Sequence, residues 1–218
     1  MDMKETPKLP SSFILASASP RRLEILQTLG IDPEILVPDT NEDCDRAAVP
    51  PELLVEGLAC RKARAAGEML MRCGRGEEDC LILAADTVVV LGDRILEKPR
   101  DAEDARQMLR ALSENTHRVC TGIAVLCRGI LTMDVQCTQV RFRSLTEAEI
   151  EAYVASGEPM GKAGSYAIQE RGALFVEEIC GDYFNVVGLP AVCVDKLLSE
   201  NYGFGLASFA RDADRTPK

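Results

Sequence analysis

Histidine occurs once in this sequence, as His117, so a metal centre built from several imidazoles lacks its ligands. The nine cysteines, at 44, 60, 73, 80, 120, 127, 137, 180 and 193, contain no CxxC pair. That excludes a zinc ribbon, and their odd number and scatter argue against a disulfide framework. Long apolar runs are missing too. The longest, LILAADTVVVL at 81–91, is interrupted by Asp86 and falls short of the roughly 18 to 20 residues that span a bilayer. The opening MDMKETPKLPSS is polar and contains proline, which is not the composition of a signal peptide. Reduced thiols and a cytoplasmic location are the resulting expectations. Positive charge is also in deficit, with 25 Lys and Arg against 35 Asp and Glu and a formal net charge of -10. Such a chain is repelled by nucleic-acid polymers and anionic membrane surfaces. An anionic ligand would need a local positive pocket.

What is present is an interleaving of strand and helix patterns, which predicts an α/β fold with a mixed sheet. SSFILAS reads as a buried strand. SASPRRLEILQTLG reads as a helix with Ser19 as N-cap, Pro20 first in the helix, Leu23, Leu26 and Leu29 on one face and Gly30 as stop. EILVPD reads as a second strand. ELLVEGLACRKARAAGEMLM has a helical stripe of Leu54, Leu58, Ala65, Ala66 and Met69. CGRGEED at 73–79 is a polar loop. LILAADTVVVL and RILEK flank Gly92-Asp93 as a hairpin. Asp101 caps a further helix, and Thr146 with Glu149 forms a capping box for TEAEIEAYVASG. HRVCTGIAVLCRGILTMDVQCTQVRFRSL supplies two or three antiparallel strands, SYAIQERGALFVEEICGDYFNVVGLP strands and turns, and PAVCVDKLLSENYG a last helix. One domain over 13–203 is expected, between tails at 1–12 and 204–218.

Several charged residues stand where local rules disfavour them. Arg21 and Arg22 occupy a first helical turn, where the peptide dipole favours acids. With Ser17 and the helix N–H groups they can cradle a phosphate; equally, they can bridge to surface acids such as Glu24. Asp86 interrupts an apolar run, so burial demands a cation, a metal or several N–H donors. If a strand ends at Ala85, Asp86 projects from its C-terminal end, where α/β sheets place ligands. Thr87 beside it is a candidate ligand contact or a plain strand residue. Glu97 and Lys98 lie on the return strand of the same hairpin, so Lys98 can share a site with Asp86 or lie solvated at an edge. Lys62 lies near the apolar stripe of its helix, either snorkelling or pointing into a cleft. Glu42 lies in an acidic turn. GEPMGKA at 157–163 fails as a P-loop because only three residues separate its glycines and Ala163 follows the lysine. In GKAGSYAIQERG, Gln169 can read the acceptor and N–H edge of a pyrimidine or simply bond to backbone.

Taken in order, ASASPRR (16–22), AADTVV (84–89), LEKPRDAEDARQML (96–109), SENTHRVCTG (113–122), KAGSYAIQ (162–169) and VVGLP (186–190) closely resemble the Maf family of nucleoside triphosphate pyrophosphatases. The likeness runs from about Ile14 to Leu198 and is greatest to the dTTP/UTP pyrophosphatase branch. The resemblance implies an elongated mixed β-sheet with flanking helices, two lobes around a nucleotide cleft, a divalent cation (Mg²⁺, Mn²⁺ or Co²⁺) and a homodimer. It also implies Asp86 as catalytic acid residue or metal ligand, with Lys98 and Glu42 beside it and Glu42 sharing the metal. Ser17, Arg21, Arg22 and Lys62 would hold the triphosphate, and Arg21, Thr87 and Gln169 would set pyrimidine preference. Departures are Glu114 and Gly161, where glycine and aspartate are common, and Ala167 and Glu170, where glycines are frequent. The implied activity is hydrolysis of dTTP and UTP to monophosphate and pyrophosphate, removing excess or non-canonical nucleotides. The alternatives are a pyrophosphatase for a modified or methylated nucleotide, or a low-turnover nucleotide-binding regulator of cell division.

Overall fold

A computed structural model of the chain describes residues 8–40, 49–75 and 79–210. Seven strands form one mixed sheet: β1 (Ser12–Leu15), β2 (Glu34–Ile35), β3 (Cys80–Leu91), β4 (Arg94–Leu96), β5 (Thr116–Cys127), β6 (Ile130–Phe142) and β7 (Val176–Cys180). Their order is β2-β1-β3-β5-β6-β7, with β4 paired to β3. The helices are α1 (Pro20–Thr28), α2 (Pro51–Arg72), α3 (Ala102–Leu112), α4 (Glu147–Ala155), α5 (Tyr183–Val187) and α6 (Ala191–Tyr202).

Both faces of the sheet are covered, which is why β3 reads as a nearly unbroken apolar run rather than an alternation. On one face Ile14, Ile82, Ala84 and Ala124 meet Ala59, Ala63, Ala66 and Leu70 of α2. The first half of α2 adds Leu54, Val55 and Leu58 against Val88, Val90 and Cys120. On the other face Leu15, Leu81, Leu83 and Ala85 pack with Leu26, Leu109 and Leu198 from α1, α3 and α6. Small residues let α2 lie close to the sheet. At Gly122 an added Cβ would stand 2.4 Å from the Val55 carbonyl carbon and oxygen, a separation no side chain permits.

Local signals fixed several elements as expected. Asp101 accepts from the Asp104 amide, Thr146 and Glu149 complete a capping box, and Gly92-Asp93 turns β3 into β4. Other expectations need correcting. The buried residues of α1 are Arg22, Ile25 and Leu26, while Leu29 is exposed. Ala63 and Leu70 lie in the buried stripe of α2, where Ala65 and Met69 were expected. EILVPD pairs only at Glu34–Ile35, and Ile35 and Val37 stand exposed. The stretch before Pro190 contains α5, whose β-favouring sequence YFNVV is turned into a helix by the cap from Asp182 to the Phe184 amide. Residues 204–209, expected to lie in a C-terminal tail, are packed against the domain: Phe204 and Leu206 are buried and Phe209 meets Phe13 edge-on at 5.1 Å. Nor are all thiols reduced: Cys120 and Cys137 stand opposite each other on β5 and β6 and are joined as a disulfide. The loop reading at 73–79 falls partly outside the described residues.

Candidate active site

The site opens where β3 loses its neighbours on one edge. Along the opposite edge β5 pairs it from Leu81 to Val90. On the open edge β1 pairs it in parallel only over Cys80–Leu83, and β4 pairs it only over Val89–Leu91. Ala84 to Val88 lies between them, and Asp86 and Thr87 sit in that gap. The strand does not end at Ala85, the condition under which Asp86 would project from a strand end, but follows the hairpin reading of 81–91. It continues to Leu91 while β1 stops at Leu15, so the opening comes from the neighbour's end. A crevice beside the carboxyl end of a parallel strand is where α/β sheets bind ligands.

Beyond β1 the chain turns through Ala16–Ser19 into α1. Ser19 makes no side-chain cap bond; instead the Ser17 hydroxyl accepts the Ser19 amide at 3.2 Å. Ser17 also accepts from Arg22 Nη1 at 2.9 Å. Arg22 is 8% exposed and donates further from Nε to the Gly188 carbonyl at 2.8 Å and from Nη2 to Thr87 Oγ1 at 3.0 Å. The arginine pair is thus divided. Arg22 ties α1, β3 and the turn after α5 together, whereas Arg21 lines the cavity.

Lys62 resolves its two readings by pointing into the cleft. Its Nζ lies 2.5 Å from Asp86 Oδ1, with side-chain exposures of 16% and 13%. The aliphatic stem leaves α2 beside Ala59, Ala63 and Ala66, the tightly packed seam of the sheet. The cation supplies the partner that a carboxylate in an apolar strand requires; removing one member of such a buried pair costs about 3 to 5 kcal/mol at full burial, less at these exposures.

One cavity of about 710 Å³ gathers Ser17, Arg21, Arg22, Lys62, Asp86, Thr87, Lys98 and Gln169. Glu42 lies outside the described residues. The lining carries five cationic side chains, Arg21, Arg22, Lys62, Lys98 and Lys162, against three carboxylates, Asp39, Asp86 and Glu97. This is a positive pocket in a chain of formal net charge -10. Tyr166 forms part of the wall, 6% exposed. Its hydroxyl lies 2.8 Å from His117 Nε2, and burial holds its phenol well above the usual range. Burial likewise pushes the His117 imidazole down to about 4.

The donor set suits a hard cation. Asp86 offers carboxylate oxygen within a cleft otherwise rich in cations, so an ion there would share Asp86 with oxygens of its ligand and with water. Among the described residues one cluster of three metal-type ligands comes together, Glu52 with Cys120 and Cys137. Its two sulfurs are bonded to each other, and none of the three residues lines the cavity.

Three participants were not singled out from the sequence: Gly188, Thr121 and Asn185. Thr121 and Asn185 are fully buried, and Thr121 Oγ1 lies 2.9 Å from Thr87 Oγ1 and 3.3 Å from the Asn185 carbonyl. A polar pair inside THRVCTGIAV and YFNVV was the available signal, since buried polar groups require partners.

A family model described as "Maf-like protein" matches residues 12–201. A dTTP/UTP pyrophosphatase of Moorella thermoacetica is 49% identical over 191 residues, 87% of this chain and 94% of that protein. A dTTP/UTP pyrophosphatase of Vibrio cholerae is 45% identical over 188 residues, 86% of this chain and 97% of that protein. A solved structure, that of a HAM1 protein from Coxiella burnetii, aligns with a TM-score of 0.43 and 18% identity, over 77% of this chain and 92% of that one.

Proposed function

The chain belongs to the Maf-like protein family, and on that premise we propose that it hydrolyses nucleoside triphosphates, dTTP and UTP foremost, to the monophosphate and pyrophosphate. The observation that carries this reading is a cation-rich cleft closing around one ion-paired carboxylate, Asp86, in an otherwise acidic protein.

Water attack on a phosphoanhydride is opposed by the negative charge of the substrate. Arg21, Lys62 and Lys98 would offset that charge at the places where the phosphate oxygens gain it. Arg22 would act mainly by holding Ser17 and Thr87 in place while adding its charge from below. Ser17 and the start of α1, whose first amides lack intrahelical partners, would receive a phosphate. Asp86 would orient the attacking water and accept its proton. Lys62 fixes the Asp86 carboxylate through the Oδ1 contact. When bound, a divalent cation held by Asp86 and joined by Glu42 would supply Lewis-acid polarisation of the phosphate. Gln169 would read the base from the loop side of the cavity. A cytoplasmic homodimer acting on excess or non-canonical nucleotides completes the proposal.

Release of pyrophosphate from dTTP, UTP, the other common triphosphates and modified triphosphates, each with Mg²⁺, Mn²⁺ or Co²⁺, tests it. Wild type should prefer dTTP and UTP, and Asp86→Asn should lose about a hundredfold or more in turnover, within the 10²–10⁴ typical of a general base. Full activity in Asp86→Asn would sink the assignment of the carboxylate. Tight nucleotide binding without any pyrophosphate release would replace the hydrolase with a nucleotide-binding regulator.

A further inference from the structure

Thr87 lines the cleft, and its hydroxyl is the first link of a buried polar chain that runs away from it. Arginine carries only donors, so Thr87 Oγ1 must accept from Arg22 Nη2 at 3.0 Å. At the other end, a carbonyl can only accept, so Thr121 gives its single hydroxyl proton to the Asn185 main-chain oxygen at 3.3 Å. The 2.9 Å contact between the two threonine hydroxyls is then left with one polarity. Thr87 donates and Thr121 accepts.

The far end of this chain is held rigidly. The Asn185 side chain is fully buried and donates from Nδ2 to the Val119 carbonyl and to Thr138 Oγ1, both at 2.9 Å. It thereby pins α5 across β5 and β6. Gly188, directly after α5, returns its carbonyl to Arg22 Nε at φ 128°, a conformation that other residues rarely adopt. The α5 turn thus receives the last proton of the chain and also supplies an acceptor for the arginine at its head.

We infer that Thr121, which is fully buried and absent from the cavity wall, is a positioning residue that fixes the hydroxyl polarity of Thr87 and, through it, the guanidinium of Arg22. With its proton committed to Thr121, Thr87 presents a lone pair to the arginine and to the cleft. Without Thr121, that proton loses its acceptor, and the hydroxyl is no longer held with its lone pair on Arg22. This inference rests on the proposed nucleotide site and adds a residue to it that does not touch the nucleotide.

The test is a double-substitution cycle read by binding of α,β-imido-UTP, a non-hydrolysable analogue, and by steady-state kinetics with UTP. Thr121→Val, which keeps the shape and removes the hydroxyl, should raise the Kd of the analogue and the KM for UTP by roughly three- to tenfold, the size of one hydrogen bond. Its kcat should change by less than about twofold, as for an interaction made equally in ground and transition states. Thr121→Ser should restore wild-type binding. In a Thr87→Val background, Thr121→Val should have no further effect on Kd, because the chain it completes is already cut. An equal loss in both backgrounds, failure of the serine to rescue, or an unchanged Kd with only a lowered melting temperature would overturn the inference. If wild type binds the analogue but releases no pyrophosphate, the hydrolase reading fails while the binding cycle still decides the role of Thr121. If wild type does not bind it, both fall together.

Discussion

Mild acid should destabilise this protein through its one histidine. His117 is 1% exposed, wedged edge-on against Phe142 and Tyr166 with ring centroids 5.0 and 5.4 Å away. Its Nε2 meets the Tyr166 hydroxyl, and among the described residues its Nδ1 has no partner. Protonation would place an N–H on both nitrogens and charge the ring in an apolar setting, so burial lowers its pKa from 6.5 to about 4. The unfolded chain, titrating near 6.5, binds the proton first. The folded pKa is the lower one, so the stability contribution is complete above 6.5 and is lost as pH falls towards about 4. At about 1.4 kcal/mol per unit, this gives a loss of about 2 kcal/mol by pH 5 and about 3 kcal/mol by pH 4. That is a large share of the roughly 5 to 15 kcal/mol that holds a domain folded. Urea unfolding of wild type and His117→Gln at pH 7.5, 6 and 5 measures it: the variant should start lower but lose about 2 kcal/mol less over that interval. Carboxylates such as Glu149, held down to about 2 by the Arg143 hydrogen bond and the Thr146 amide, lose their contribution only as pH falls through the unfolded value of 4.5, below the pH 7.5 to 5 interval compared, and act equally in both proteins. Because there is one histidine, its Hε1 proton gives a single, unambiguous proton-NMR resonance to follow. A midpoint near 6.5 in the folded protein, or parallel stability losses in the two proteins, would refute the reasoning.

Gly122→Ala should destabilise by about 3 kcal/mol or more, at or beyond the usual overpacking cost, because its Cβ would meet the Val55 carbonyl and the Glu56 amide nitrogen at 2.4 to 2.5 Å. A melting temperature within a degree of wild type would count against the close seating of α2. Arg22→Lys keeps the charge but cannot span Ser17, Thr87 and Gly188 at once. Its KM for UTP should therefore rise by about tenfold or more, and wild-type kinetics would show that charge alone matters there.

What could be read from the sequence depended on how local each cause was. Caps at Asp101 and Thr146 and the Gly92-Asp93 turn act within four residues, and each was visible as a short pattern. Asp86 was visible because a carboxylate within an apolar run demands an explanation. The gap at Ala84–Val88 was not, because it arises from where β1 and β4 stop, and those ends are set by pairings far apart in the chain. Thr121 and Asn185 escaped notice for the same reason: their hydrogen-bond partners are 34 and 64 residues apart. The Cys120–Cys137 bridge depends on hairpin register, which no spacing rule for cysteines encodes. The burial of Phe204 and Leu206 depends on docking to the sheet, and their composition alone suggested a loose end.

Because β3 runs through Asp86 without ending, the acidic group stands on backbone laddered to β5 from Leu81 to Val90. Amides in such a ladder exchange with solvent only when large parts of a protein open together, whereas irregular segments open alone. Gln169 belongs to such an irregular segment, between short 3₁₀ turns at Ala163–Ser165 and Arg171–Phe175. The cleft is therefore asymmetric in its capacity to vary. Substitution of the exposed Gln169, unlike that of the buried Tyr166 and Ile168 just before it, carries little risk to folding, while the backbone of Asp86 is bound to the stability of the whole sheet.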